Sequence, residues 1–198
     1  MNLKHIAILG YTGTGKTTFI KELIKNTTAK VIIFDIEQDY NIKAHSIHIH
    51  DYMYIKKLLE KYNTIRIITK NYDKKNDDFS QIYKYIFQNI RNVVLVIDEI
   101  HRQGGREHNL NIELENLLTA GRKRNIKCII ASVTPVLVAK TLLKSCGILV
   151  LKKVAWTNDW DTLRKINKKA VELLQSSNND YATVILRDGK IQKTINLV

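Results

Sequence analysis

The sequence predicts an α/β protein with a mostly parallel central sheet that is flanked by helices. Short β-branched runs alternate along the chain with longer amphipathic segments, the order that builds parallel sheets. Runs such as Val93–Ile97 are apolar at every position, which is typical of strands buried on both faces. The chain contains one proline and no Gly/Ser-rich linker, so we expect residues 1–198 to form a single domain.

The elements follow in order along the chain. The β-branched apolar runs predict strands at His5–Leu9, Lys30–Asp35, Thr64–Thr69, Val93–Asp98, Lys127–Ser132 and Gly147–Leu151. The amphipathic segments predict helices at Gly15–Asn26, Asp51–Lys61, Phe79–Asn89, Leu110–Arg124, Pro135–Lys144 and Asp159–Gln175. At the C-terminal end, Tyr181–Leu186 and Ile191–Val198 flank an Asp-Gly turn, which predicts a β-hairpin extension of the sheet.

The composition limits the class of protein. The chain has 32 Lys and Arg against 19 Asp and Glu, a net charge of +13. This excess fits a polyanionic partner such as nucleic acid, or an anionic membrane, and equally a Lys-rich composition inherited from an AT-biased genome. No apolar run reaches membrane-spanning length, and no signal peptide is evident. Cys128 and Cys146 lie in apolar runs and are interpreted as reduced core residues, so we expect a cytoplasmic protein.

The strongest motif follows the first strand. Residues 10–17 read Gly-Tyr-Thr-Gly-Thr-Gly-Lys-Thr and match the phosphate-binding pattern G-x-x-x-x-G-K-[ST] in full. Lys16 is expected to reach the β- and γ-phosphates, and the Thr17 hydroxyl to bind Mg²⁺. The predicted nucleotide-binding residues are Gly10, Tyr11, Thr12, Gly13, Thr14, Gly15, Lys16, Thr17, Thr18 and Ser132.

A second acidic motif ends the strand Val93–Asp98. Asp98 is expected to hold Mg²⁺, and Glu99 to polarise a water for attack on the γ-phosphate. Together with the phosphate loop, this pair predicts ATP hydrolysis.

Other nucleotide-dependent classes fit less well. The chain lacks an Asn/Thr-Lys-x-Asp motif for GTP and a Leu-Ser-Gly-Gly-Gln signature, and it is too short for a two-core helicase. A small nucleotide or nucleoside kinase fits the length and remains an alternative. A DNA-binding protein that uses ATP only as a switch, without motor activity, also remains an alternative.

Several basic and polar residues are further candidates. Because the chain has a single motor core, we expect a neighbouring subunit to supply the arginine that stabilises the transition-state charge. Arg122 and Arg124 are the first candidates for this arginine, and Arg102 and Arg106 are the second. Ser132 and Thr134 end a strand, where a side chain can sense the γ-phosphate or cap the strand. DNA contacts are expected from the loop Arg102–Asn109 and from a basic cluster: Lys152, Lys153, Arg164, Lys165, Lys168 and Lys169.

Two smaller groups of residues have weaker interpretations. Strand alternation would put His48 and His50 on one face, but they lack the partners that zinc needs. Asp35, Glu37 and Asp39 follow the second strand, and the sequence leaves open whether they are to be expected near the adenine, the ribose or the attacking water.

Four segments resemble the FtsK–HerA superfamily of DNA-pumping ATPases: the phosphate loop, Phe34–Glu37, Ile97–Glu99 and residues 120–135. The last segment is similar to the superfamily's Gly-Arg-Lys-x-Gly and Ala-Thr-Gln-x-Pro block, although Val133 stands where the family has its glutamine. The small size is most similar to the genome-packaging ATPases of tailless, membrane-containing viruses, archaeal ones included. A filamentous-phage assembly or plasmid-transfer ATPase would look much alike.

The resemblance implies a RecA-like P-loop core, a homomeric ring and an arginine finger acting in trans. It also implies double-stranded DNA moved without regard to sequence, and for a packaging motor a capsid or portal-vertex partner. Such a protein would work in the host cytoplasm or remain associated with the virion.

Overall fold

The centre of the molecule is a nine-stranded sheet in the computed structural model, which describes residues 4–69 and 79–196. Its strands are β1 His5–Leu9, β2 Lys30–Phe34, β3 His45–His48, β4 Thr64–Ile68, β5 Val93–Ile97, β8 Ile126–Ser132, β9 Cys146–Lys152, β10 Thr183–Arg187 and β11 Lys190–Ile195. A separate two-stranded hairpin consists of β6 Gly105–Arg106 and β7 Asn109–Leu110.

The order of strands across the large sheet is β11-β10-β9-β1-β8-β5-β2-β4-β3. The strands from β9 to β3 are parallel to their neighbours, whereas β10 is antiparallel to both β9 and β11. The predicted fold class is therefore confirmed, and the C-terminal hairpin extends the sheet beyond β9. Val198, the predicted end of that hairpin, lies outside the described residues.

Helices cover both faces of the sheet, and the hydrophobic core on one face is larger than the core on the other. Their bounds are α1 Lys16–Lys25, α2 Ile55–Lys61, α3 Phe79–Asn89, α4 Ile112–Thr119, α5 Lys140–Ser145, α6 Thr157–Ile166 and α7 Lys168–Ser176. Alternate strand residues point to opposite faces: Ile6 and Ile8 of β1 pack with α1, whereas Ala7 and Leu9 belong to the larger core under the other helices. Within the described residues, no helix combines the length and apolar character needed to cross a membrane.

Four predicted helices are wrong in extent, each for a local reason. The segment Asp51–Lys61 begins within a 3₁₀ helix over Ile49–Tyr54, so α2 starts only at Ile55. Asn111 accepts hydrogen bonds from the N–H groups of Glu113 and Leu114, so α4 begins after it, and residues 121–124 form a separate 3₁₀ turn. The segment from Pro135 likewise opens with a 3₁₀ turn before α5. Asn167 is extended and caps α7 through Ala170 N–H, which divides Asp159–Gln175 into α6 and α7.

The placement of His48 and His50 on one strand face is also wrong. β3 ends at His48, whose ring accepts a hydrogen bond from the His50 N–H and begins a 3₁₀ helix over Ile49–Tyr54. The chain therefore turns between the two histidines instead of continuing as a strand.

Candidate nucleotide-binding site

The phosphate-binding motif lies across the carboxyl ends of three neighbouring strands. The Gly10 N–H donates to the Ser132 carbonyl at the end of β8 (3.2 Å), and the Tyr11 N–H donates to the Lys153 carbonyl after β9 (2.9 Å). β1 lies between these two strands, and β5 lies on the far side of β8. This edge of a parallel sheet is where α/β proteins bind nucleotides.

The loop has the backbone shape that an anion site needs. Gly13 and Gly15 adopt φ of 86° and 78°, in the left-handed region that side chains disfavour, and Gly15 is the N-cap of α1. The Thr14 hydroxyl donates to the Tyr11 carbonyl (2.8 Å) and closes the loop. The N–H groups that begin α1 thus face a phosphate position with a favourable helix dipole.

Lys16 is buried at the start of α1. Its ammonium donates to the Tyr11 carbonyl (3.1 Å), and only 7% of the residue is exposed. Burial lowers the pKa of Lys16, and the carboxylates of Glu99 and Asp98 oppose that shift. The loop therefore holds a desolvated lysine near two acids.

Asp98 follows β5 and is held on both carboxylate oxygens. The Tyr40 hydroxyl donates to Oδ2 (2.9 Å), and the Glu99 N–H donates to Oδ1 (3.0 Å). The Gln103 side-chain amide donates to the Asp98 carbonyl. Burial raises the pKa of Asp98, while these donors and Lys16 favour its charged form. Tyr40 and Gln103 thus fix the orientation of this acid.

Glu99 combines a strained backbone with a buried carboxylate. Its φ of 49° and ψ of 50° are left-handed, a conformation that costs a non-glycine residue of order 1–3 kcal/mol and is concentrated at functional sites. Oε2 accepts a hydrogen bond from the Val133 N–H (3.2 Å) and lies 3.3 Å from His101 Nδ1. Burial raises the pKa of Glu99 to about 7.

These groups meet in one cleft of about 300 Å³. It is lined by Thr12, Gly13, Gly15, Lys16, Thr17, Thr18, Glu37, Asp39, Asp98, Glu99, Val133 and Tyr181. The structure therefore brings together the phosphate loop and both predicted acids. Glu37 and Asp39 also face this space, whereas Asp35 is buried and pairs with Arg66 (3.6 Å).

Four predicted nucleotide-binding residues do not form the cleft wall. Gly10, Tyr11 and Thr14 instead shape the loop from behind. Ser132 is fully buried, and its hydroxyl is 2.9 Å from His101 Nδ1 and accepts from the Thr134 N–H (3.1 Å).

Lys152 corrects the prediction of a surface basic cluster between residues 152 and 169. Its ammonium donates to the Thr183 hydroxyl (2.8 Å), and only 4% of the residue is exposed. It lies behind the phosphate loop, because a Cβ added to Gly10 would be 2.6 Å from its Cβ. Burial and the neighbouring charge of Lys16 lower the pKa of Lys152 to about 8. Lys152 therefore supports the loop and is not available to DNA.

Other members of that cluster are engaged in ion pairs. Lys153 is 3.7 Å from Asp180, Arg164 is 2.5 Å from Asp161, and Lys168 is 4.0 Å from Glu172. In the loop after Glu99, Arg102 pairs with Glu37 and Arg106 donates to the His101 carbonyl (3.1 Å). The expected polar loop at 102–109 contains the β6–β7 hairpin.

Arg122 and Arg124 lie at the opposite end of β8 from the cleft. The Arg124 guanidinium packs over Phe87 and donates to the Gln88 carbonyl, whereas the exposed Arg122 donates to the Ser145 carbonyl (2.9 Å). A seven-residue strand is about 20 Å long, so neither side chain reaches the cleft of its own chain.

Four contributors to the site were not assigned to it from the sequence: Tyr40, His101, Lys152 and Tyr181. Each comes from a different segment and reaches the cleft, its acids or the phosphate loop only through the fold. Tyr181 is 57% exposed and lies against the phosphate loop, where a Cβ on Gly15 would be 3.2 Å from its Cδ1. A local cue existed only for His101, which follows the acidic pair by two residues.

The donors in the cleft fit a magnesium ion. The Thr17 hydroxyl and the Asp98 carboxylate are hard oxygen ligands in the same space. Within residues 4–69 and 79–196, no cluster of three or more His, Cys, Asp or Glu side chains is arranged to hold a metal. A hydroxyl and a carboxylate suit Mg²⁺, which takes few ligands from the protein and completes its shell with water and phosphate.

The raised pKa of Glu99 predicts a pH-dependent change in stability. The pKa of Glu99 in the folded state, about 7, lies above the ordinary value of 4.5. The stabilisation that protonated Glu99 gives to the folded state is therefore fully present below pH 4.5 and is lost as the pH rises through 7. Glu99→Gln removes that dependence. We expect the free energy of unfolding of the variant to exceed that of wild type by about 3 kcal/mol at pH 8, and to equal it near pH 4. Urea titrations at both pH values measure this, and equal differences at both would contradict it.

The sheet, its flanking helices and the loop at the strand ends have the P-loop NTPase fold. Residues 1–69 match the family model described as the central domain of helicase HerA. Protein P9 of Pseudoalteromonas phage PM2 is 21% identical over 196 residues, which span 95% of this chain and 87% of P9.

Solved structures extend the similarity over the whole fold. The genome-packaging NTPase B204 of Sulfolobus turreted icosahedral virus 2 in complex with ATPγS has a TM-score of 0.77 at 18% identity, with 100% of each chain covered. Its AMP complex has a TM-score of 0.79 at 16% identity, with 98% of each covered. VirB4 of Thermoanaerobacter pseudethanolicus has a TM-score of 0.69 at 11% identity, covering 97% of this chain and 88% of VirB4. The resemblance predicted from the sequence is thereby confirmed.

Proposed function

We propose that residues 1–198 form one ATPase domain that moves double-stranded DNA, as the genome-packaging motor of a virus. The observation that carries the proposal is the meeting of Lys16, Asp98 and Glu99 in a single cleft at the strand ends. Similarity to packaging NTPase B204 and to phage protein P9 supports the viral role.

Each residue of the cleft has a chemical role in ATP hydrolysis. The phosphate-loop N–H groups bind the phosphates, and the Lys16 ammonium neutralises charge on the β- and γ-phosphates. Thr17 and Asp98 hold Mg²⁺, which when bound supplies charge stabilisation to the transferring phosphoryl group. Glu99 orients and deprotonates the attacking water, for which a pKa near neutrality is well matched.

The active unit is a homomeric ring in which a neighbouring subunit supplies the arginine finger. The length of β8 supports an arginine supplied in trans, because Arg122 and Arg124 lie too far away to reach the cleft of their own chain. Of the two, Arg122 is the better candidate, since its side chain is exposed whereas Arg124 is packed on Phe87.

DNA is the substrate that the charge of +13 favours. Contact is expected to be sequence-independent and salt-sensitive, because a motor must release phosphates at each step. The protein would act in the host cytoplasm or on the virion, docked on a capsid or portal-vertex protein.

Tyr181 offers an aromatic surface to the base of ATP at the mouth of the cleft. We expect Tyr181→Ala to raise the KM for ATP about two- to tenfold, with kcat nearly unchanged, since stacking contributes about 0.5–1.5 kcal/mol. Steady-state kinetics measure this. Tyr181→Phe keeps the ring and should behave as wild type, and Trp156→Ala removes an exposed aromatic outside the cleft wall. An unchanged KM in Tyr181→Ala would remove the tyrosine from the binding site.

One experiment separates the motor from a nucleotide kinase and from an ATP-dependent switch. ATP turnover is measured with and without linear duplex DNA, alongside a screen of nucleotide phosphate acceptors. Stimulation by DNA supports the motor. Phosphoryl transfer to a nucleotide would indicate a kinase, and binding of ATP without turnover would indicate a switch.

A further inference from the structure

The turn that carries Tyr181 lies against the phosphate loop. A Cβ built on Gly15 would be 3.2 Å from Cδ1 of the Tyr181 ring, so the ring packs where α1 begins. Tyr181 is nevertheless more than half exposed and lines the cleft. The position of the ring therefore depends on how the backbone on either side of it is held.

Both sides of the Tyr181 backbone are held by hydrogen bonds. The Tyr181 N–H donates to the side-chain oxygen of Asn179 (2.9 Å), and the Tyr181 carbonyl accepts from the Thr183 hydroxyl (2.9 Å). Thr183 is buried and is the first residue of β10. The tyrosine thus belongs to a short turn that is fixed to the start of a sheet strand.

Lys152 connects this turn to the end of β9. The Lys152 ammonium donates to the Thr183 hydroxyl (2.8 Å), and that hydroxyl gives its own proton to the Tyr181 carbonyl. Lys152 and Thr183 are also paired across the antiparallel strands β9 and β10. Because both residues are buried, water competes little for these hydrogen bonds, and the ammonium fixes the direction in which the hydroxyl donates.

Lys152 is also part of the support of the phosphate loop. A Cβ built on Gly10 would be 2.6 Å from the Lys152 Cβ, and a Cβ built on Gly15 would be 3.9 Å from the Lys152 Nζ. The stem of the lysine therefore packs on the start of the loop, and its ammonium lies near the end of the loop. One buried side chain thus contacts both the loop and the support of Tyr181.

The next residue, Lys153, makes a second connection between the same two segments. Its carbonyl accepts the Tyr11 N–H (2.9 Å) from the phosphate loop. Its ammonium is 3.7 Å from the Asp180 carboxylate, one residue before Tyr181. The end of β9 therefore holds the loop on one side and the Tyr181 turn on the other.

We propose that Lys152 and Thr183 are positioning residues for nucleotide binding: the Lys152 ammonium orients the Thr183 hydroxyl, which fixes Tyr181 against the phosphate loop. The base and the phosphates of the nucleotide are then bound by one pre-formed unit. This inference rests on the ATP binding that the proposed function requires. It adds a buried polar pair that sets the affinity for the nucleotide without touching it.

Thr183→Val tests the pair, because valine has the shape of threonine without the hydroxyl. We expect the Kd for ATPγS and the KM for ATP to rise about two- to tenfold, the effect of one net hydrogen bond, with kcat at saturating ATP nearly unchanged. Thr183→Ser keeps the hydroxyl and should bind as wild type does. Thr194→Val changes an exposed threonine of β11 and is the matched control.

A double-mutant cycle with Tyr181→Ala determines whether the hydroxyl acts through the tyrosine. In the Tyr181→Ala background the ring that Thr183 positions is absent, so Thr183→Val should weaken ATPγS binding no further. Combining Lys152→Met with Thr183→Val replaces both members of the polar pair by apolar side chains of similar size, which is nearly neutral for folding. This double variant should weaken ATPγS binding at least as much as Thr183→Val does.

A role confined to stability would give another result. An unchanged Kd for ATPγS in Thr183→Val, or in the double variant if the single one fails to fold, would overturn the inference. An equal effect of Thr183→Val in the wild-type and Tyr181→Ala backgrounds would also overturn it. If wild type binds no ATPγS, the proposed function and this inference both fail; a wild type whose ATP hydrolysis is stimulated by DNA, together with an additive cycle, overturns only the inference.

Discussion

Glu99→Gln should abolish ATP hydrolysis while leaving ATP binding intact. The amide keeps the shape of the side chain and can still accept the Val133 N–H, but it cannot take a proton from water. Positioned general bases contribute about 10²–10⁴-fold to rate, so we expect kcat to fall by that factor. Single-turnover hydrolysis and equilibrium binding of ATP measure the two properties separately.

The control for Glu99→Gln is Glu37→Gln, a second acid of the same cleft that lies after β2 and pairs with Arg102. It removes a negative charge of equal size and should retain most of the turnover. Near-normal hydrolysis in Glu99→Gln would remove Glu99 from the role of base.

Arg122→Ala should reduce ATP turnover by a comparable or larger factor, and a mixed ring should recover part of it. Arginine fingers contribute on the order of 10³–10⁵-fold to phosphoryl transfer. In a mixture with Lys16→Ala subunits, some interfaces pair an intact phosphate loop with an intact arginine. We expect the mixture to exceed the summed activity of the two separate variants.

Arg124→Ala and Lys123→Ala are the matched comparisons. Lys123 is an exposed cation between the two arginines and should tolerate the change. Arg124 stabilises the end of α3 through Phe87 and Gln88, so its loss should reduce stability more than turnover. If neither arginine variant is rescued by Lys16→Ala subunits, the finger does not act in trans.

The sheet and the phosphate loop were predictable because their signals are local. A continuous apolar run such as Val93–Ile97 indicates a buried strand whatever surrounds it. The phosphate-loop motif likewise determines the backbone conformation of its own residues. Helix ends were less predictable, because single caps decide them: Asn111 and Asn167 each begin a new helix within a segment of continuous periodicity.

The partners of the acids were not predictable, because they are set by strand order. Tyr40 precedes Asp98 by 58 residues, and Ser132 follows His101 by 31. The same reason explains the error at Lys152. A lysine beside Lys153 after an apolar run indicates a surface cation, but the pairing of β9 with β1 and β10 buries it under the phosphate loop.

The most direct test of DNA movement is displacement of a third strand from linear duplex DNA. A translocating ring that travels along the duplex should release a triplex-forming oligonucleotide in an ATP-dependent manner, and Glu99→Gln should bind the same DNA without releasing it. Release at the same rate without ATP, or DNA-stimulated hydrolysis with no release at all, would contradict the claim that this chain moves double-stranded DNA.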